Sequence, residues 1–189
     1  MITAVGHADL APDTLRLVEA ELGAVLERLP GQGPGLVRAG AGTPLAFGRA
    51  ARVAGRPLVV LTPTRHLVPA PPPAPDRLAT GELLMLAGQV RLLEYDPADR
   101  DACVGADERM IADCRRLLAV WDGSPSNGRD ATAHLVAYAR AHGVPTEVIW
   151  PEGAVREPIA GPPPLTGTRR TTTVGAAPTR TLDETDRPR

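Results

Sequence analysis

The stretch LLAVWDGSPSNGRDATAHLVAYARAHGVPTEVIWP, residues 117–151, reads as strand, loop, helix and strand. An apolar run at 117–121 stops at the polar loop 122–129. A helical pattern at 130–142 then leads into a second apolar run at 144–150. In a crossover of this kind the first loop and the amino end of the helix open at the carboxyl edge of a parallel sheet, where α/β proteins bind ligands. The rest of the chain reads as support for this unit.

Upstream, ITAVG at 2–6 has the continuous apolar character of a buried strand and ends in Gly6. His7, Ala8 and Asp9 form a short loop, and Pro12 suits the first turn of a helix. Leu15, Val18, Leu22, Val25, Leu26 and Leu29 then recur at helical spacing over 12–29. A second unit follows: a strand at 36–39, the turn Gly40-Ala41-Gly42-Thr43, a helix at 44–54 and a strand at 57–61 closed off by Pro63. Residues 65–76 contain VPAPPPAP and predict an exposed polyproline-like loop. A helix at 78–87, a strand at 90–95 and a helix at 99–116, with Cys103, Met110 and Ile111 as candidate inward positions, bring the chain back to the opening stretch. Strands that alternate with helices and are apolar throughout indicate an α/β protein with a parallel sheet covered on both faces.

The chain has 189 residues with 43% hydrophobic content, enough to bury one sizeable core. The formal charge is -1, so no global basic field points to nucleic acid or an anionic membrane. All 21 Lys+Arg residues are arginine, a bias that fits a GC-rich genome and carries no functional weight. The sole early apolar run, 2–5, is too short for a signal peptide or a membrane span. The spacing of Cys103 and Cys114 fits no zinc pattern. The expectation is a reduced, cytoplasmic protein with neither metal nor cofactor. From residue 151 onward the composition turns to Pro, Gly, Thr and Arg without a sustained period, which predicts a disordered tail; the expected bounds are a domain of residues 1–156 and a tail of 157–189.

VGHADL near the start, LLAVWDG with its glycine- and threonine-containing loop, and VAYARAHGVPTEVIWPEG together resemble the SLOG superfamily. This nucleotide-binding group includes DprA/SMF proteins and the LOG phosphoribohydrolases, and the likeness is greatest to small stand-alone actinobacterial members. It implies a three-layer Rossmann-like fold with a mainly parallel sheet, a small nucleotide-like ligand, and a homodimer paired through helices beside the pocket. Carried over residue by residue, the ligand-binding set is Gly6 and His7 in the first loop and Gly40, Gly42 and Thr43 in the second. Asp122, Gly123, Gly128, Thr132 and His134 join it from the third loop and its helix. Arg109, in DERMI, resembles the arginine that holds the phosphate in catalytic relatives. The family's loop runs GxGGTAD, or PGGxGTxxE in the phosphoribohydrolases. Here Ala131 replaces a glycine, His134 stands at the acidic position, and Leu135 stands where the catalytic Glu belongs.

That loss bears on catalysis, because N-glycosidic cleavage needs a carboxylate to stabilise an oxocarbenium-like sugar and activate water. Asp130 is the only carboxylate next to the helix start and hence the candidate catalytic residue, with Glu108 as a substitute. As a helix cap, Asp130 competes with a phosphate for the same positive pole. Each of the other residues has a plainer reading. His7 suits a loop histidine bonded to backbone, Asp122-Gly123 a turn, His134 an interfacial side chain, and Trp121, Trp150 and Tyr138 core or rim packing. Three functions follow: a non-catalytic or sensory nucleotide-binding protein, which the missing carboxylates favour; a nucleoside-monophosphate phosphoribohydrolase; and a scaffold with a degenerate pocket.

Overall fold

A strand that is apolar on both faces is satisfied only between two layers of helix. The computed structural model, which describes residues 1–31, 33–66 and 68–157, arranges the chain in that way. Its strands are Ile2–Gly6 (β1), Gly35–Arg38 (β2), Leu58–Arg65 (β3), Val68–Pro69 (β4), Gln89–Glu94 (β5), Arg116–Val120 (β6) and Thr146–Ile149 (β7). The helices are Pro12–Arg28 (α1), Thr43–Val53 (α2), Arg77–Leu86 (α3), Arg100–Ala112 (α4) and Thr132–Ala141 (α5). Met1–Glu157 is one compact unit. Of the stretch read as a tail from the sequence, residues 151–157 belong to this unit, held by backbone bonds of Val155 and Glu157, and residues 158–189 lie outside the described residues.

The strands run parallel in the order β5-β3-β2-β1-β6-β7, with β4 antiparallel to the end of β3. Alternation along each strand feeds two cores. Ala4, Val37, Val60, Leu118 and Val120 face α1, α2 and α3, where Val18, Leu22, Phe47 and Leu83 meet them. Val5, Leu36, Val59, Leu117 and Ala119 face α4 and α5, against Met110, Ile111, Leu135 and Val136. From β1 the chain builds outward through β2, β3 and β5, then returns along α4 to place β6 on the other side of β1. The gap between the carboxyl ends of β1 and β6 is therefore the topological switch point of the sheet. Arg38, the last residue of β2, forks from Nε and Nη2 onto Asp107 of α4 at 2.8 and 3.0 Å, tying this return helix to the sheet.

Several boundaries differ from the sequence reading. β3 does not stop before Pro63. β5 lies beside it from Val59 to Thr64, and Pro63, which has no N–H to give, still accepts from the Ala70 N–H through its carbonyl. The proline-rich segment is correspondingly not one extended loop: Val68–Pro69 pairs with the end of β3, and Ala74–Asp76 makes a single 3-10 turn. α4 starts one residue later than expected because Asp99 caps it, accepting from the Asp101 and Ala102 N–H groups. It ends at Ala112, so Arg116 belongs to β6. Met110 and Ile111 are buried as expected, whereas Cys103 is only half-buried.

Phe47 of α2 has no solvent exposure and sits under β2, whereas Val53 at the end of the same helix is 78% exposed. Phe47→Ala is expected to lower the unfolding free energy by about 3–5 kcal/mol, and Val53→Ala by less than about 0.5 kcal/mol, in urea titrations followed by circular dichroism.

Candidate functional site

The loops after β1, β2 and β6 meet at the switch point, and glycine makes their approach feasible. Gly6 ends β1 so close to its neighbours that a Cβ there meets the Val120 carbonyl oxygen and lies 2.6 Å from Thr43 Oγ1. Gly42, with φ 66, rests its backbone on the first loop, where a Cβ meets Ala8 Cα at 2.6 Å. Thr43 completes the junction: its N–H and Oγ1 both donate to the His7 carbonyl, at 3.1 and 3.0 Å.

These contacts lower the His7 ring into the gap between β1 and β6, where its side chain is fully buried. Nδ1 lies 2.5 Å from Asp130 Oδ2, and Nε2 lies 3.0 Å from Asp122 Oδ1. The Asp122 backbone N–H also points at Nε2, at 3.2 Å. With its proton on Nδ1 the neutral ring donates to Asp130 and accepts from that N–H; a doubly protonated ring donates to both carboxylates. Trp150 stands edge-on to the ring, with centroids 5.5 Å apart. His7 thus has the backbone bond of the plainer sequence reading, from Asp122, and two carboxylate partners besides.

Asp130 is held from several directions. Its Oδ1 accepts from the Thr132 N–H at 2.8 Å and the Thr132 hydroxyl at 2.6 Å, while Oδ2 faces His7 and the Arg156 Nη2 at 3.2 Å. This carboxylate thus takes the first N–H of α5 from one position ahead of the N-cap, Ala131. Burial pushes its carboxyl up, but the hydrogen bonds from His7 and Thr132 outweigh burial and hold it well below the usual carboxylate range. Asp122 shows the same balance in milder form: burial pushes it up, and bonds from Ser124 and His7 bring the net shift down.

Arg156 closes the cluster. Its Nε and Nη2 fork onto the two Asp9 carboxylate oxygens, each at 2.9 Å, and Nη1 donates to Ser124 Oγ at 3.3 Å and lies 3.7 Å from Asp122 Oδ2. The bond to Asp9 is the chief reason its guanidinium pKa rises. An antiparallel bridge between Leu10 and Arg156 delivers this side chain. Asp9 and Arg156 escape sequence reading because their partnership spans nearly the whole domain and leaves no local pattern.

Other expected site residues lie to the side. Arg109 is exposed on α4. His134 Nε2 pairs with Glu108 at 2.7 Å on the outer surface, and its N–H donates to Ser126 Oγ. Gly128 is exposed in the loop that Asn127 braces by accepting from the Arg129 and Asp130 N–H groups. Gly123, with φ 85, forms the turn in which Asp122 accepts from the Ser124 N–H. Gly40 is buried in the second loop, where the adjacent Ala41 N–H is taken by Asp76 Oδ1 at 3.1 Å. A cleft of about 450 Å³ opens elsewhere along the carboxyl edge, between Arg65, Pro71, Pro73 and Asp96. Among the described residues no group of His, Cys, Asp and Glu is arranged to hold a metal ion, and no helix is long and apolar enough to cross a membrane.

The Asp130 carboxyl titrates lower in the folded chain than in the unfolded one, so the unfolded state takes up its proton first as pH falls. Its stabilisation is therefore complete above the unfolded value of about 3.9 and is lost progressively below it. Urea midpoints measured from pH 6 to pH 2 are expected to fall at the acid end in the wild type, and less steeply in Asp130→Asn.

The sequence matches no protein-family model, and no curated protein matches it. Among solved structures, the fold is similar to the X-ray structure of DNA processing protein A (DprA) from Streptococcus pneumoniae, with a TM-score of 0.51 and 16% identity. The match covers 79% of this chain and 50% of that one, so the chain spans about half the length of DprA. The likeness is one of fold: the chain has the Rossmann-like fold found in DprA.

Proposed function

We propose that this chain binds a nucleoside-like small molecule, nucleotides included, at the switch point and does not act on it chemically. The observation that carries this reading is the meeting of three loops around the Asp9, Asp122 and Asp130 carboxylates at the place where doubly wound sheets take their ligands. Carboxylates there are acceptors for sugar hydroxyls. They are poor company for a phosphate, and carboxylates already take one backbone N–H at the start of α5 and one just ahead of α2. Asp130 sits at the start of α5, and Asp76 takes the Ala41 N–H just before α2. A nucleotide's phosphate therefore points outward from the cluster while its ribose faces in.

The same bonds argue against catalysis. A general base works best with a pKa near the operating pH, and the bonds from His7 and Thr132 that hold the Asp130 carboxyl well below the usual carboxylate range make it a weak one. Glu108, the other candidate, is paired with His134. DprA is by its name a DNA processing protein; a formal charge of -1 and a carboxylate cluster at this edge speak against a polyanion here.

A thermal-shift panel of adenosine, guanosine, their 5′-monophosphates and 2′,3′-dideoxyadenosine tests the reading. Ribose-bearing members are expected to raise the melting temperature by mass action, with about 2.7 kcal/mol of stabilisation at a hundredfold excess over Kd, and the dideoxy compound is not. No shift with any member rejects nucleoside binding. Incubation with the monophosphates is expected to release no free base; release that disappears in Asp130→Asn makes the protein a hydrolase instead.

A further inference from the structure

The chain does not end its work at β7. After Trp150 it turns at Pro151–Ala154, with the Ala154 N–H donating to the Pro151 carbonyl, and runs back over the first loop. We propose that residues 151–157 form a displaceable latch, in which Arg156 occupies the carboxylate cluster as an internal ligand and keeps the switch-point crevice closed. The proposal rests on the nucleoside-binding reading for what the latch excludes, but its opening is measurable without any nucleoside.

Two features set this segment apart from a structural strand. Polar ties hold it: the Ala11 N–H donates to the Val155 carbonyl at 3.3 Å, the Val155 N–H to Thr14 Oγ1 at 2.7 Å, and the Glu157 N–H to the Asp9 carbonyl at 2.7 Å. Apolar burial contributes little, since Val155 is 56% exposed and Glu152 and Gly153 are exposed as well. A segment fixed by a few polar bonds without a buried anchor belongs to the low-stability end of a protein and opens locally. The second feature is what the segment inserts. The guanidinium presents its N–H donors to Asp9, Asp122 and Asp130 together. Ligand hydroxyls need those same acceptor oxygens, so ligand and latch compete for one set of partners.

Hydrogen exchange on the full chain tests this with Arg156→Ala and Thr14→Val; the second removes a latch tie and leaves every charge in place. In both variants the amides of Ala11, Val155 and Glu157 are expected to exchange at least about tenfold faster, while the sheet amides of Leu117 and Trp121 keep the wild-type rate. Methylguanidinium is expected to raise the melting temperature of Arg156→Ala and leave that of the wild type unchanged, because only the variant has the cluster open. Unchanged latch amides in both variants, or equal acceleration of the sheet amides, overturns the latch. Adenosine is expected to bind Thr14→Val more tightly than the wild type, and weaker binding to the variant overturns the inhibitory role. If adenosine binds neither protein, nucleoside recognition falls, and the exchange rates still decide whether the latch exists.

Discussion

The buried His7 ring between Asp130 and Asp122 is the constraint on which the carboxyl edge depends. A charged or polar group without solvent is stable only when every partner is in place. Here the partners come from far-separated parts of the chain: the loop after β6, the approach to α5 and, through the His7 carbonyl, Thr43 at the start of α2. Loss of this ring would leave the acids facing one another across the switch point. The glycines at positions 6 and 42 matter for the same reason, since a Cβ at either position would push these loops apart.

The doubly wound sheet ordinarily offers free helix ends to an anion. In this chain carboxylates take backbone N–H groups at or just ahead of three of them. Asp130 takes the Thr132 N–H at α5, Asp99 takes the first amides of α4, and Asp76 takes the Ala41 N–H before α2. Arg156 is then the one guanidinium that bonds into the Asp9, Asp122 and Asp130 group among the described residues. The scaffold is one that phosphate binders use, while the groups lining it favour donors over anions. That inversion follows from a handful of side chains, which is why fold and ligand must be argued separately.

Much of the architecture was legible because it is local. The 117–151 unit, the helical spacing in α1 and the unbroken apolar run of β1 each leave a pattern that one window of sequence can show. What was misread depends on neighbours. β3 continues through Pro63 because β5 arrives beside it, and the proline-rich segment bends into β4 for want of another edge. The site divides in the same way. Loop motifs pointed to His7, Asp122, Asp130 and Thr132, which the fold does bring together. Arg109 and His134 were named from family spacing, and they lie on the outer face of α4 and α5, since a motif position does not fix which way a helix is turned. Asp9 and Arg156 left no trace, because their pairing is created only when the two ends of the domain meet.

That meeting has a temporal side. The Arg156 guanidinium and the Asp9 carboxylate are 147 positions apart in the chain. A contact between such distant positions closes a loop as long as the domain itself, so it can form only after the strands between them have found their order. While the chain is being synthesised, the carboxylates of the first and third loops therefore sit beside one another without their guanidinium until the final turn emerges. The switch point is thus the last part of this domain to reach its finished charge balance, and a chain cut short before Arg156 would carry a complete sheet with an unneutralised rim.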